Sequence, residues 1–168
     1  MANTYVLIEA KTLGSAVASI TFSSIPSTYT DLVVLTSVRA SSGGGISAGL
    51  RFNGSTSNYS EKLLYGTGSG AASASASTTS IQWASLGNQT STANTFSNCQ
   101  IYIPNYASSN YKSVSTEAVT ENNGTGADIY VDAGLWSDTA AITSLTLTAS
   151  TPDFAVNSTF YLYGIKNS

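Results

Sequence analysis

Apolar and polar side chains alternate along most of this chain, and a two-residue period is typical of β-strands with one buried face. Between Ile46 and Phe52 every second side chain is apolar, and the intervening Ser47, Gly49 and Arg51 share the opposite face. The same alternation places apolar residues on a common face at 16–22 and again at 129–135. No window shows a convincing helical stripe, so the pattern predicts an all-β fold.

About ten or eleven short strands are expected, because turn-forming Gly, Pro, Asn and Ser residues interrupt the alternation at short intervals. This arrangement favours a single antiparallel β-sandwich, jelly-roll-like, over a parallel sheet with crossover connections. The predicted strands are 5–10, 16–22, 32–38, 46–52, 63–65, 79–84, 96–103, 113–120, 129–135, 142–148 and 160–165.

The chain of 168 residues is predicted to form one domain over 1–168, since no linker or internal repeat divides it. One segment, 66–79, has the low-complexity sequence GTGSGAASASASTT. Its composition favours a flexible loop. The alternative is an extended arm that becomes ordered only on a neighbouring subunit.

The stretch LRFNGSTSNYSEKLLYG over 50–66 has the character of a hairpin. Asn53 and Gly54 are suited to the positive backbone dihedrals of a turn. A cross-strand ion pair between Arg51 and Glu61 is expected. A phosphate-binding loop would require a helix after the glycine, and the pattern predicts none there.

Charged residues are few in this chain, and the basic ones are not clustered. Six basic and nine acidic residues give a net charge of −3, and charged residues make up 9% of the chain, against roughly 25% in ordinary soluble domains. The dispersed basic residues argue against a nucleic-acid partner. A surface so poor in charge is weakly protected against association, and we expect much of it to contact protein.

The inventory of catalytic groups is also poor. Histidine is absent, which removes the commonest general base and the usual catalytic triads and zinc sites. Cys99, the one cysteine, is expected to be a small buried residue. Asp128 and Asp132 lie roughly 13 Å apart on a strand, too far for a glycosidase pair. We expect no enzyme activity, no cofactor and no metal site.

The N-terminal sequence MANTYVLIEAK lacks the basic and apolar regions of a signal peptide. No apolar run approaches the roughly 18 residues of a membrane span. The chain is therefore expected to be soluble, made in the cytoplasm and reduced, with no membrane partner.

Ten tyrosines are many for so weakly charged a chain. In the last predicted strand Phe160 and Leu162 should face inward, which turns the two tyrosines between and after them outward. Tyrosine is enriched in protein interfaces because its ring buries area while its hydroxyl still finds partners. The candidate protein-contact residues are Tyr102, Tyr106, Tyr111, Tyr161 and Tyr163.

Several segments together carry a family resemblance: YVLIEAKTLGSAVASITFSSIPSTYTDLVVL, LRFNGSTSNYSEKLLYG, IYIPNYASSNYKSVSTEAVTENN, AGLWSDTAAITSLTLT and FYLYGIKNS. With these segments the chain resembles, over nearly its whole length, a family of small virion structural proteins of tailed bacteriophages, especially marine and cyanobacterial ones. The resemblance implies a location in the virion and carries over no catalytic residue.

The resemblance and the composition together predict a non-enzymatic capsid decoration or cement subunit on the outer surface of the virion. Its partners would be the major capsid protein and further copies of itself, most simply as a homotrimer at local three-fold points. The alternative is the receptor- or glycan-binding tip of a tail fibre or spike. A carboxylate-based glycan hydrolase is the third reading.

Overall fold

Twelve β-strands make up the regular structure of the computed structural model, which describes residues 4–42, 46–86, 92–121, 123, 127–150 and 153–166. They are β1 (Tyr5–Thr12), β2 (Ser19–Phe22), β3 (Asp31–Val38), β4 (Ile46–Phe52), β5 (Tyr59–Gly66), β6 (Ala71–Thr78), β7 (Ile81–Leu86), β8 (Ser97–Ile103), β9 (Lys112–Thr120), β10 (Asp128–Trp136), β11 (Leu145–Ala149) and β12 (Thr159–Ile165).

The strands form two sheets of unequal size. The larger has the order β1-β12-β3-β8-β9-β10-β5-β6 and the smaller has the order β2-β11-β4-β7. Neighbouring strands are antiparallel in both sheets, which confirms the predicted all-β antiparallel sandwich. The described residues form twelve strands, where about ten or eleven were predicted. The eight-plus-four division does not confirm the jelly-roll-like topology, which in its usual form has eight strands.

The core lies between the two sheets. Phe22, Leu50 and Phe52 of the small sheet and Phe160 and Leu162 of the large one are fully buried. The predicted inward orientation of the last two is therefore confirmed. At one edge of the core the indole of Trp136 stacks on Tyr59 with ring centroids 6.2 Å apart, and lies 5.6 Å from Phe52.

The prediction of a loop over 66–79 was wrong for most of that segment. Ala71–Thr78 form β6, which pairs with β5 along its whole length after a tight turn closed by a 2.9 Å hydrogen bond from the Thr67 amide to the Gly70 carbonyl. Ala and Ser alternate along β6. Because both side chains are small, this alternation has too little hydrophobic contrast to indicate a strand.

The predicted hairpin between β4 and β5 was also wrong, because β4 lies in the small sheet and β5 in the large one. Asn53 and Gly54 have the expected positive φ, at 51° and 71°. The Asn53 side chain accepts hydrogen bonds from the Thr143 and Ser144 amides at 2.9 and 3.1 Å. The Asn53 turn therefore connects the two sheets of the sandwich.

The expected Arg51–Glu61 ion pair does not form. The Arg51 Nε donates to the Thr79 carbonyl at 3.1 Å, while the Glu61 Oε2 accepts a 2.7 Å hydrogen bond from the Gln82 amide. The turn signals at 43–45, 87–88, 124 and 152 lie outside the described residues.

Candidate protein-interaction face

The surface of the large sheet that points away from the small sheet is called the outer face here. Strand registry aligns its side chains in rows across the sheet. One row runs from Leu35 on β3 through Gln100, Glu117 and Val131 to Leu64 on β5. Each member of the row lies beside the next, at the roughly 5 Å spacing of neighbouring strands.

The half of the outer face formed by β9, β10 and β5 carries exposed aliphatic side chains. Val131 lies directly opposite Leu64, and Ile129 lies opposite Val119. The exposed fractions of Leu64, Ile129 and Val131 are 57%, 60% and 48%. Neighbouring exposed side chains as large as Leu, Ile and Val are typical of interaction sites, whereas single exposed apolar residues are common on any protein surface.

A second apolar group covers the other half of the outer face. A row of partners runs from Leu7 on β1 through Tyr163 and Val33 to Tyr102 on β8. Tyr5 packs edge-on against Tyr163, with ring centroids 6.4 Å apart. Gln100 and Glu117 lie between the two apolar groups.

The outward orientation of β10 differs from what its sequence suggests. Ile129, Val131 and Ala133 do share one face, as the alternation predicts, but that apolar face is exposed to solvent. The inner positions of β10 include Asp132, Gly134 and Trp136, all buried. A Cβ atom at Gly134 would lie 2.6 Å from the Ile81 side chain, so β7 packs closely against this inner position because residue 134 has no side chain.

The opposite surface of the sandwich is different in character. The outward positions of the small sheet are mostly hydroxyl-bearing, with Ser19 and Thr21 on β2, Thr146 on β11 and Ser47 on β4. The Thr21 and Thr146 hydroxyls are hydrogen-bonded at 2.9 Å. The two broad surfaces of the protein thus differ strongly in polarity, and the apolar one belongs to the large sheet.

The five tyrosines predicted as contacts have different environments. Tyr161 and Tyr163 lie half-buried on the outer face, as does Tyr102, whose hydroxyl donates to the Asp31 Oδ2 at 3.0 Å. Burial and this hydrogen bond to a carboxylate raise the pKa of Tyr102. Tyr111 lies beyond β8 in the segment before β9 and is 59% exposed.

Tyr106 is not an accessible contact residue, and the prediction was wrong for it. Its side chain is 0% exposed and belongs to the core between the sheets. Its hydroxyl donates to the Pro26 carbonyl, and the Ile142 amide donates to the Tyr106 carbonyl at 2.9 Å. Tyr106 therefore links its own turn to the segments that contain Pro26 and Ile142. Apolar–polar alternation does not indicate such contacts, because Tyr106 lies in a turn and not in a strand.

Sequence reasoning missed a buried carboxyl pair on the inner face. Glu61 on β5 and Asp132 on β10 are 6% and 2% exposed. Thr116, the registry partner of Asp132 on β9, also has a buried hydroxyl without a hydrogen-bond partner among the described residues. The sequence analysis placed Glu61 across the Asn53 turn as the partner of Arg51, and Asp132 on the same strand face as Asp128. No signal in the sequence placed Glu61 and Asp132 together.

The remaining sequence predictions concern single residues and absent features. Cys99 is buried as predicted, its thiol donates to the Trp83 carbonyl at 3.2 Å, and burial raises its pKa. Within the described residues, no group of three or more His, Cys, Asp or Glu side chains is arranged to hold a metal ion. The same part of the chain contains no helix with the length and apolar character to span a membrane.

A scan against protein-family models, a search of curated proteins and a search of solved structures each found no match for this chain.

Proposed function

We propose that this protein is a non-enzymatic structural protein of a bacteriophage virion, and that it decorates the outer surface of the capsid by binding the assembled major capsid protein lattice. The observation that supports this role is the exposure of Leu64, Ile129 and Val131 on the outer face. These side chains lose contact with water only if another protein covers them.

Such binding stabilises a shell by linkage. A subunit that binds the assembled lattice and not the free capsid protein shifts the equilibrium toward the closed shell. A broad, weakly charged outer face suits this task, because apolar burial contributes in proportion to area and needs no exact matching of charges. The buried Glu61–Asp132 pair is assigned a structural role, because Asp132 is inaccessible to a substrate.

The copy number of the chain in purified virions tests the proposed location on the capsid. Quantitative gel densitometry against the major capsid protein should give a ratio near one or a simple fraction of it. A ratio near a few per cent would overturn the decoration proposal. It would favour the receptor- or glycan-binding tip of a tail fibre or spike.

The outer face is tested separately by capsid binding of purified variants. Val131→Lys and Leu64→Lys each place a charge in the apolar group, and loss of an interface anchor should weaken binding by about 2 kcal/mol or more, roughly 30-fold. Ser47→Lys is the matched control, since Ser47 is exposed on the small sheet. Equal binding by all three variants would show that the outer face is not the docking surface.

A further inference from the structure

The two sheets have four edges in the described residues, formed by β1 and β6 in the large sheet and β2 and β7 in the small one. An open edge presents unpaired backbone amides and carbonyls that can pair with another chain. Proteins block such edges with short strands, bulges, charges or covering groups.

Three of these edges carry such protection. Strand β2 has four residues. On β7 the Gln82 amide donates to Glu61, and the Ser85 carbonyl accepts from the Thr120 hydroxyl at 2.9 Å. Strand β1 has a bulge between Leu7 and Glu9 and a 2.6 Å salt bridge between Lys11 and Glu9.

Strand β6 has none of these features. It has eight residues, AASASAST, with no charge and no proline, and its registry with β5 has no bulge. Residues 71–77 are exposed on both faces of the sheet. The strand is thus long, neutral and regular, and it forms the open end of an eight-stranded sheet.

The backbone groups on the open side of β6 can be assigned from the hairpin. Hydrogen-bonded and non-hydrogen-bonded pairs alternate in an antiparallel ladder. Because the Thr67 amide donates to the Gly70 carbonyl, the pairs that follow at even-numbered positions of β6 bond to β5. The amides and carbonyls of Ser73, Ser75 and Ser77 therefore point away from β5.

We propose that β6 pairs antiparallel with β6 of a second copy of this chain, about a two-fold axis close to Ser75. Antiparallel pairing of a strand with itself keeps odd-numbered residues opposite odd-numbered ones. The outward amides of Ser73, Ser75 and Ser77 then meet the matching carbonyls of the second copy. Serines face serines on one side of the joined sheet and alanines face alanines on the other, without a steric or charge conflict.

The contrast between the two edges of the large sheet selects this partner. Head-to-tail pairing of β6 with β1 of another copy would meet the bulge at Leu7 and the charged Glu9 and Lys11. Pairing of β6 with β6 uses the unprotected edge of both copies and leaves only protected edges outside. Association therefore stops at a dimer and does not give the homotrimer expected from the sequence. This inference is independent of the virion role, because it uses the sheet edge and not the outer face.

The test measures the mass of the full chain in solution by light scattering or sedimentation across a concentration series. The wild type should be a dimer. Ser75→Lys and Ser75→Glu each place like charges opposite one another at the axis, and each should raise the dissociation constant at least tenfold. Mixing these two variants should restore the dimer, because unlike charges then face each other.

Two further variants test two alternative explanations: that the Ser75 variants fail to fold, and that the dimer forms through the outer face. Ser75→Pro removes an outward amide, a change that edge strands tolerate, and it should give a folded monomer. Ser115→Lys, at an exposed position of the outer face, should remain a dimer. A monomeric or trimeric wild type, a dimer insensitive to the Ser75 variants, or a dimer disrupted by Ser115→Lys would each overturn the proposal.

Discussion

Asp132 on β10 and Glu61 on β5 extend from neighbouring strands into the same inner layer of the sandwich, and both are buried. The Glu61 carboxylate accepts the Gln82 amide, whereas neither Asp132 oxygen accepts a hydrogen bond of normal geometry from the described residues. Burial, followed by the negative charge of Glu61, raises the pKa of Asp132 to about 7.

This raised pKa predicts that stability falls as pH increases. An unfolded aspartate has its ordinary pKa of 3.8, so between roughly pH 4 and pH 7 the folded state retains a proton that the unfolded state has lost. The free energy of unfolding should decrease through that window, by at most about 1.4 kcal/mol per pH unit. Denaturant unfolding at a series of pH values measures this slope.

Asp132→Asn should flatten the profile and make the variant more stable than the wild type above pH 7. Glu117→Gln is the matched control, because Glu117 is exposed on the outer face, and it should keep the wild-type slope. A wild-type profile that is flat across this window would contradict the prediction.

Lys112 is predicted to stabilise the turn that precedes β9. Its buried ammonium donates to the Ser108 carbonyl at 2.9 Å and to the Asn110 carbonyl, and burial lowers its pKa. Lys112→Met would leave both carbonyls without this donor and should lower the free energy of unfolding by about 1–3 kcal/mol. Lys62→Met, at an exposed position, should change stability by less than about 0.5 kcal/mol. Calorimetric melting of both variants provides the comparison.

Gly164 on β12 is predicted to be intolerant of a side chain. A Cβ atom there would lie 2.3–2.6 Å from ring atoms of Tyr29, whose ring is also 5.9 Å from the Lys166 ammonium. Gly164→Ala should destabilise the fold by about 1–3 kcal/mol, because the Tyr29 ring must move. A Cβ at Gly14 has no neighbour within 4 Å, so Gly14→Ala is the control and should be nearly neutral in thermal denaturation.

Two tyrosines near β8 should respond very differently to truncation. Tyr106→Ala removes a fully buried aromatic ring and should cost about 3–5 kcal/mol of stability, as for other large core residues. Tyr111→Ala removes an exposed ring and should change stability by less than about 0.5 kcal/mol. Urea unfolding distinguishes them, and similar losses for both would contradict the burial of Tyr106.

Local pattern determined much of this protein. Apolar patterning predicted eleven of the twelve strands in the described part of the chain, and the two-residue alternation correctly placed Phe160 and Leu162 inward with Tyr161 and Tyr163 on the opposite face. The burial of Cys99 and the turn at Asn53 and Gly54 also followed from short-range sequence. These features depend on backbone conformation and side-chain chemistry within a few residues. A repeating pattern of apolar and polar residues reports on that local range.

Tertiary structure decided which partner each strand takes and which of its faces is buried. A period of two separates Ile129 and Val131 from Asp132 and Gly134, but it does not tell which of the two faces is buried. In the structure Gly134 packs against Ile81 and the aliphatic residues face outward. Registry between distant strands likewise assembled the outer face, brought Glu61 near Asp132, and left β6 as an open edge. These relationships join residues far apart in sequence, and the free energy of packing that selects them has no local signature.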